Sequence, residues 1–332
     1  MSNHIITINR GSSSIKFSLY NGKRPLLNKN ISHSKKGNEA IIKEIKTLGK
    51  KIDAIGHRIV FGGSEFTQPT RIDPEMIERL RKLSRFAPLH MPDEITLIQQ
   101  LQEIFPNIVQ VACFDTSFHQ TLPPKAYIFP FPQSVQNEGI RRYGFHGLSF
   151  ESIVDQLNPM PEKLIACHLG GGVSLAAIKN GKSIDTTMGL TTLGGVVMGT
   201  RTGDIDPGII LYLLQEQGYT PDELEHILYY ESGLKGLSGH TFDMKTLLQE
   251  KTPASEQAIE IFCYQIAKMI GAYHVVLGGV DALVFTGGIG ENCPEIRDRI
   301  CSYLKWHLTP QVLPCQEERI IAKHTLHLIS GA

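Results

Sequence analysis

Two arginines lie in glycine-flanked stretches and are the residues best suited to grip a small anion. Arg58 lies in Gly56-His57-Arg58-Ile59-Val60, and Arg201 in Gly199-Thr200-Arg201-Thr202-Gly203-Asp204. An arginine in a tight turn presents a planar fork of donors that matches a carboxylate or a phosphate. An isolated arginine is more often a solvated surface charge, so both gain meaning only from their company. Asp115 closes the apolar run Val109 to Phe114. That position suits a catalytic or Mg²⁺-binding carboxylate, and equally an ordinary turn cap before Thr116-Ser117. His146, in Tyr143-Gly144-Phe145-His146-Gly147, and His168, before a glycine triplet, are two of 13 histidines. Neither would stand out by itself.

Small-residue turns supply a second kind of chemistry. Asn9-Arg10-Gly11-Ser12-Ser13-Ser14 and Gly170-Gly171-Gly172 each follow a β-rich run. Such turns let the backbone approach a ligand closely and aim adjacent amides at phosphate oxygens. Most Gly/Ser turns are merely turns, but a matched pair could grip one polyphosphate from two sides. Gly181-Lys182-Ser183 ends like a Walker A loop, yet Ala176 stands where its first glycine is required, so it reads as a hairpin turn. Gly287-Gly288-Ile289-Gly290-Glu291-Asn292 leaves the apolar strand Ala282 to Phe285. It can receive a base or a phosphate, or simply turn a strand into a helix. Its spacing is not that of a dinucleotide fingerprint.

The elements that must position these residues alternate between β and α. Ile5 to Ile8 and Ile15 to Tyr20 read as strands closed by Asn21-Gly22, a hairpin signal. The pattern returns without a gap at an offset of 159: Gly11 falls on Gly170, Asn21 on Asn180, Gly22 on Gly181 and Lys23 on Lys182. The spacing points to two related halves, each opening on a hairpin around a small-residue turn. Asp73 can cap a helix that begins at Pro74 and runs to Phe86, with Met76, Ile77, Leu80 and Leu83 at helical spacing. Pro92 to Ile104 and Ser255 to Leu277 read as helices, and Ile108 to Phe114 as a buried strand. The sum is an α/β fold with helices packed on mixed sheets.

Composition narrows the partners. The chain has 332 residues, long for one core, so two domains are expected. Lys plus Arg and Asp plus Glu both number 33, without a long run of one sign. That excludes nucleic acid or an anionic membrane as a bulk electrostatic partner. The six cysteines form no C-x-x-C pair and read as free thiols of a reducing compartment. The N-terminus lacks the basic start and long apolar run of a signal peptide. The most apolar stretch, Val275 to Phe285, is broken by Gly278-Gly279 and Asp281 and is not a membrane span.

Together these segments resemble the acetate kinase family, within the superfamily of sugar kinases, Hsp70 and actin. The likeness is carried by Asn9-Arg10-Gly11-Ser12-Ser13-Ser14 with Lys16-Phe17, by Gly56 to Val60 with Gly62-Gly63, and by Ala87-Pro88-Leu89-His90. It continues through Phe114-Asp115-Thr116-Ser117-Phe118-His119 and Arg141 to Gly147. It is densest from Cys167 to Pro207 and returns at Ser232-Gly233-Leu234, Asp243-Met244, Phe285 to Asn292 and Glu317-Glu318. The resemblance implies a two-domain clamshell of duplicated ribonuclease-H-like domains, 1–118 with 319–332 and 119–318. It implies a cytoplasmic homodimer with its contact in the second domain.

The resemblance also implies roles. Arg58 and Arg201 would bind the carboxylate and neutralise the phosphoryl group in flight, and His146 would donate a hydrogen bond to it. Asn9, Ser12, Ser14 and His168 would position phosphates. Asp115 and Glu317, with Asn9, would hold Mg²⁺, for which Mn²⁺ can stand in. Val60, Leu89 and Thr192 would border the acid. Lys16, Gly170, Gly171, Gly172, Asp243, Met244, Lys245, Gly287, Gly288, Ile289, Gly290 and Asn292 would surround ATP or ADP. The implied reaction is reversible transfer of the γ-phosphoryl group to acetate. The alternatives are a kinase for propionate or another short acid, and a nucleotide-binding paralogue that has lost turnover. Arg58, Asp115, His146 and Arg201 are all retained, which favours an enzyme. The chain departs from the family pattern at Arg10 (for a small residue), Phe61 (for His), Gly171 (for Asn), Thr192 (for Pro) and Lys245 (for Arg). It is shortened between Lys16 and Arg58 and after Asn292.

Overall fold

The structure is a computed structural model that describes residues 3–11, 14–32, 37–88, 90–306 and 308–331. Ser12 and Leu89 lie outside the described residues, and Ser14 is described in its backbone only. The first sheet is built from β1 (His4–Arg10), β2 (Ser14–Asn21), β3 (Arg24–Ser32), β4 (Ala54–Ile59), β5 (Thr70–Arg71) and β6 (Val109–Phe114), in the order β3-β2-β1-β4-β6-β5. The second contains β7 (Lys163–Leu169), β8 (Val173–Lys179), β9 (Lys182–Thr186), β10 (Ala282–Thr286) and β11 (Gln311–Val312), in the order β11-β10-β7-β8-β9.

Apart from the short edge strand β5, the two orders are the same. Each sheet opens with three antiparallel strands, and the first of them then pairs in parallel with a later strand that carries another parallel neighbour. The repeat seen in the sequence is therefore a repeat of topology. Its register is not gapless. Arg10 pairs with Ile15 in the first hairpin, whereas Leu169 pairs with Val173 in the second, so the first small-residue turn is longer. The slip reappears in the next turn of each half: Gly22 and Lys23 turn β2 into β3 between paired Asn21 and Arg24, while Asn180 and Gly181 turn β8 into β9 between Lys179 and Lys182. Asn180 and Gly181 both take positive φ (49° and 75°), as a tight two-residue hairpin requires.

The chain divides into two compact units, 1–120 with 145–155 and 316–332, and 121–144 with 156–315. In the first unit, Ile6, Ile8, Phe17, Ile41, Ile55, Leu97 and Leu101 form one buried cluster against helices Gly37–Thr47 and Met91–Ile104. The other face buries Val111, Cys113, Leu148, Ile320 and Ile321 against the C-terminal helix Glu317–Ser330. Gly56 makes that second contact feasible. A Cβ there would lie 2.2 Å from Thr325 Oγ1 and 2.6 Å from Ile321 Cγ2. The glycine before Arg58 thus serves helix packing, and Arg58 sits on a strand, not in a turn. Asp73 caps helix Pro74–Leu83 by accepting from the Met76 amide at 2.7 Å, as its sequence foretold.

Candidate active site

In the first unit, buried charge collects at the ends of β1, β4 and β6. Arg58 donates through Nε and Nη2 to Asp115 Oδ2 at 2.8 and 2.5 Å, and through Nη1 to the Arg10 carbonyl at 2.8 Å. Asn9 donates through Nδ2 to Glu317 Oε2 at 2.6 Å and to Glu318 Oε1 at 2.8 Å. Lys16 reaches Glu318 Oε1 at 3.4 Å. Burial works against the Arg58 cation, but Asp115 and Glu317 outweigh it, and its pKa is raised. Burial raises the Asp115 carboxyl, opposed mainly by the Arg58 guanidinium. Asp115 Oδ1 is buried and makes no hydrogen bond, although the Leu148 amide favours the anion. A buried acceptor left in this state, close to the charges of Glu317 and Arg58, fits a hard cation that takes oxygen ligands.

The segment carrying His146 is locked to the same strand end. Gly147 donates its amide to the Asp115 carbonyl at 2.9 Å, and a Cβ at 147 would stand 2.1 Å from that oxygen. His146 takes φ 56°, a left-handed conformation that costs a non-glycine residue roughly 1–3 kcal/mol. Surrounding structure holds it there beside helix Gly147–Gln156. Two of the departures from the family pattern are explained in this unit. Phe61 is buried and packs on Phe86 and Phe145, with ring centroids 5.3 and 6.0 Å apart. Arg10 is buried and donates to Asp93 Oδ2 at 2.6 Å and Asn38 Oδ1 at 2.8 Å.

In the second unit, Arg201 occupies a braced turn. Its Nη1 donates to the Thr192 carbonyl at 2.9 Å, and its own carbonyl accepts from the Met198 amide at 3.1 Å. The amides of Ser232, Leu234 and Lys235 donate to the carbonyls of Thr200, Met198 and Gly199 at 3.0, 2.9 and 3.0 Å. Gly233 has φ 61°, and a Cβ on it would lie 2.3 Å from the Met198 carbonyl oxygen and 2.8 Å from that of Arg201. Ser232-Gly233-Leu234 is thus a backbone splint for the arginine turn. Thr192 is buried, and Thr191 and Thr192 both act to lower the Tyr229 pKa against the burial that raises it.

The Gly199 amide donates to the Gly171 carbonyl at 3.1 Å, tying this turn to the glycine triplet. The triplet opens on a cavity of about 570 Å³, lined also by Phe242, Asp243, Met244, Lys245, Gly288, Ile289, Asn292 and Glu295. That size suits a nucleoside moiety. Asp243 spends its carboxylate on capping helix Met244–Glu250, accepting from the Thr246 amide at 3.0 Å and hydroxyl at 2.6 Å. Gly170 and Gly171 line the cavity, and Gly172, His168, Gly287 and Gly290 do not. Gly287, at φ 81°, is needed because a Cβ would meet the Leu169 carbonyl at 2.7 Å. Phe242 and Glu295 escaped sequence reading. Nothing in their spacing marks them, and only the fold brings the loop before Met244 to the helix after Cys293.

Two mixed sheets of the same strand order, each with a small-residue turn at its first hairpin, define a duplicated α/β fold. A ROK family protein from Streptococcus pneumoniae shares that fold, with TM-score 0.50 at 13% identity over 99% of both chains. Within it, the acetokinase family model matches residues 27–310. An acetate kinase of Rhodopseudomonas palustris is 38% identical over 397 aligned residues, covering 100% of each chain. A propionate kinase structure from Francisella tularensis superposes with TM-score 0.89 at 36% identity, covering 97% of this chain and 99% of that one. The chain belongs to the acetokinase family.

Proposed function

We propose that this protein transfers the γ-phosphoryl group of ATP reversibly to acetate, giving acetyl phosphate and ADP. The observation that carries the reading is the buried Arg58–Asp115 pair, joined on one side to Asn9 and Glu317 and on the other to His146-Gly147. Phosphoryl transfer asks mainly for alignment and for stabilisation of spreading negative charge. A carboxylate acceptor, with a pKa of about 4–5, is already ionised near neutrality, so no general base is required. Arg58 holds the acid's carboxylate, with Val60 against its apolar end. Arg201 neutralises charge on the moving group and His146 donates to it. Asp115 and Glu317, with Asn9, would hold Mg²⁺, which would neutralise phosphate charge. The cavity beside Gly171 and Gly288 receives the adenosine.

A propionate-accepting pocket is the second reading. It is favoured by the similarity to a protein named propionate kinase and by Thr192 in place of a ring. We further propose a homodimer of the cytoplasm. Helix Pro207–Gln215 buries none of its residues, and Ile209, Leu211 and Tyr212 are about half exposed, which fits a second copy better than water. No helix among the described residues is long and apolar enough to cross a membrane. Trapping the product as hydroxamate, with ATP, Mg²⁺ and each C1–C4 acid, tests the proposal. Acetate-dependent product with a Mg²⁺ requirement is expected, and no product from any acid would refute it.

A further inference from the structure

Glu94 carries charge chemistry that the motifs do not mark. It lies in the first turn of helix Met91–Ile104 and is 4% exposed. Its Oε2 accepts from the Val60 amide at 3.3 Å, and its Oε1 is buried with no hydrogen-bond partner. Arg58 on β4, Asp115 after β6 and Arg10 at the end of β1 are the charged groups that act on it. Asp93, on its own helix, is bonded to Arg10. Arg58 is the penultimate residue of β4, and Val60 follows the strand's last residue, Ile59.

We propose that Glu94 is a specificity-determining residue of the acid site, fixing the backbone at Val60 through Oε2 and hydrogen-bonding the carboxylate of a short acid through Oε1. The inference rests on the reading of Arg58 and Val60 as the acid-binding residues. Burial, only partly offset by Arg58 and the Val60 amide, pushes the Glu94 carboxyl up to about 8. At neutral pH it is therefore a neutral acid. Oε2 already accepts a hydrogen bond, so the proton belongs on Oε1. A buried donor with no acceptor is costly to maintain, and an incoming carboxylate supplies the acceptor in a strong charge-assisted bond. Once Glu94 ionises, the same atom sets one carboxylate against another. Acid affinity then falls as pH rises through about 8, while the nucleotide is indifferent.

Steady-state kinetics of the full chain test this, with acetate varied at saturating Mg-ATP and ATP varied at saturating acetate, from pH 6.5 to 9.5. For wild type, KM for the acid rises about tenfold or more across the upper half of that range, and KM for ATP holds. Glu94→Leu raises KM for the acid about 10–100-fold at pH 7, the usual worth of a hydrogen bond to a charged group. Glu94→Gln keeps a donor in place, retains more acid affinity than the leucine variant and shows no rise at high pH. A folded Glu94→Leu with wild-type KM for acetate overturns the proposal. So does a glutamine variant whose KM climbs with pH as wild type does, and that profile decides the matter alone should the leucine variant not fold. A wild type that turns over no acid overturns both the proposed function and this inference. Turnover with variants indifferent at Glu94 overturns the inference only.

Discussion

The two halves share a scaffold and divide the chemistry. In the first unit the hairpin turn follows Asn9 and Arg10, and the strand ends gather Arg58, Asp115, Glu94 and Glu317, all buried. In the second, the matching turn is three glycines, one amide of the Arg201 loop leans on it, and a cavity opens beside it. The contrast shows how a duplicated sheet specialises. Side chains replaced backbone at one hairpin, giving a charged site whose members depend on one another. The other is bare backbone beside a cavity with room for a bulky ligand, and the arginine of the adjoining turn donates to the Thr192 carbonyl.

That difference predicts unequal outcomes for the two arginines. Arg58→Ala leaves Asp115 buried without its cation, so the variant loses about 3–5 kcal/mol of stability together with activity. Arg201→Ala removes one preorganised charge and lowers kcat about 10²–10³-fold, with a much smaller change in stability. Denaturant unfolding and hydroxamate kinetics on the pair measure both. Equal stability losses would dissolve the contrast between a mutually dependent cluster and a splinted turn.

The first unit also predicts a pH signature. His57 is buried on β4 with a ring nitrogen 2.7 Å from Gln110 Oε1, and burial lowers its pKa from 6.5 to about 4. The unfolded chain binds a proton on this residue from pH 6.5 downward, and the folded chain does not until about 4. The stabilisation is thus complete above 6.5 and is lost as pH falls from there toward 4, by about 1.4 kcal/mol per pH unit at the steepest. Unfolding free energies for wild type and His57→Gln across this window should differ in slope. Parallel curves would show that His57 titrates normally.

The smallest expected effect lies at Thr192. Its carbonyl accepts from Arg201, and the residue is buried beside Tyr229, whose pKa it acts to lower. Thr192→Pro keeps the carbonyl, loses the hydroxyl and adds a fixed ring, so the propionate-to-acetate ratio of kcat/KM should move toward acetate by about 1 kcal/mol. An unchanged ratio would remove residue 192 from the acid pocket.

Much of this was legible in the sequence because the signals are local. Asp73-Pro74, the Asn180-Gly181 turn and the apolar runs each specify their own segment through capping, turn conformation and periodicity, whereas at Asn21-Gly22 the turn falls one residue later, on Gly22-Lys23. Gly11 over Gly170 revealed the duplication. The register slip between the hairpins was not legible, since it depends on which residues pair across the turn. Arg58 was misplaced into a turn because Gly56 suggested one. The glycine instead answers to Thr325 and Ile321, far along the chain. Gly147 and Gly233 likewise exist for carbonyls of Asp115 and of Met198 and Arg201. Glu94 was passed over because an acidic residue in a helix's first turn has an ordinary explanation in the helix dipole. Only its burial against Val60 gives it another.

The central claim is that the bare-backbone half holds the nucleotide. Gly288 lines its cavity, and a Cβ there would meet nothing within 4 Å, so a larger side chain enters the cavity without disturbing the fold. Calorimetric binding of ADP to wild type and Gly288→Leu tests the claim most directly. ADP affinity should fall about tenfold or more, equivalent to at least about 1.4 kcal/mol, while the unfolding midpoint stays at the wild-type value. ADP binding to Gly288→Leu as tight as to wild type would contradict the claim.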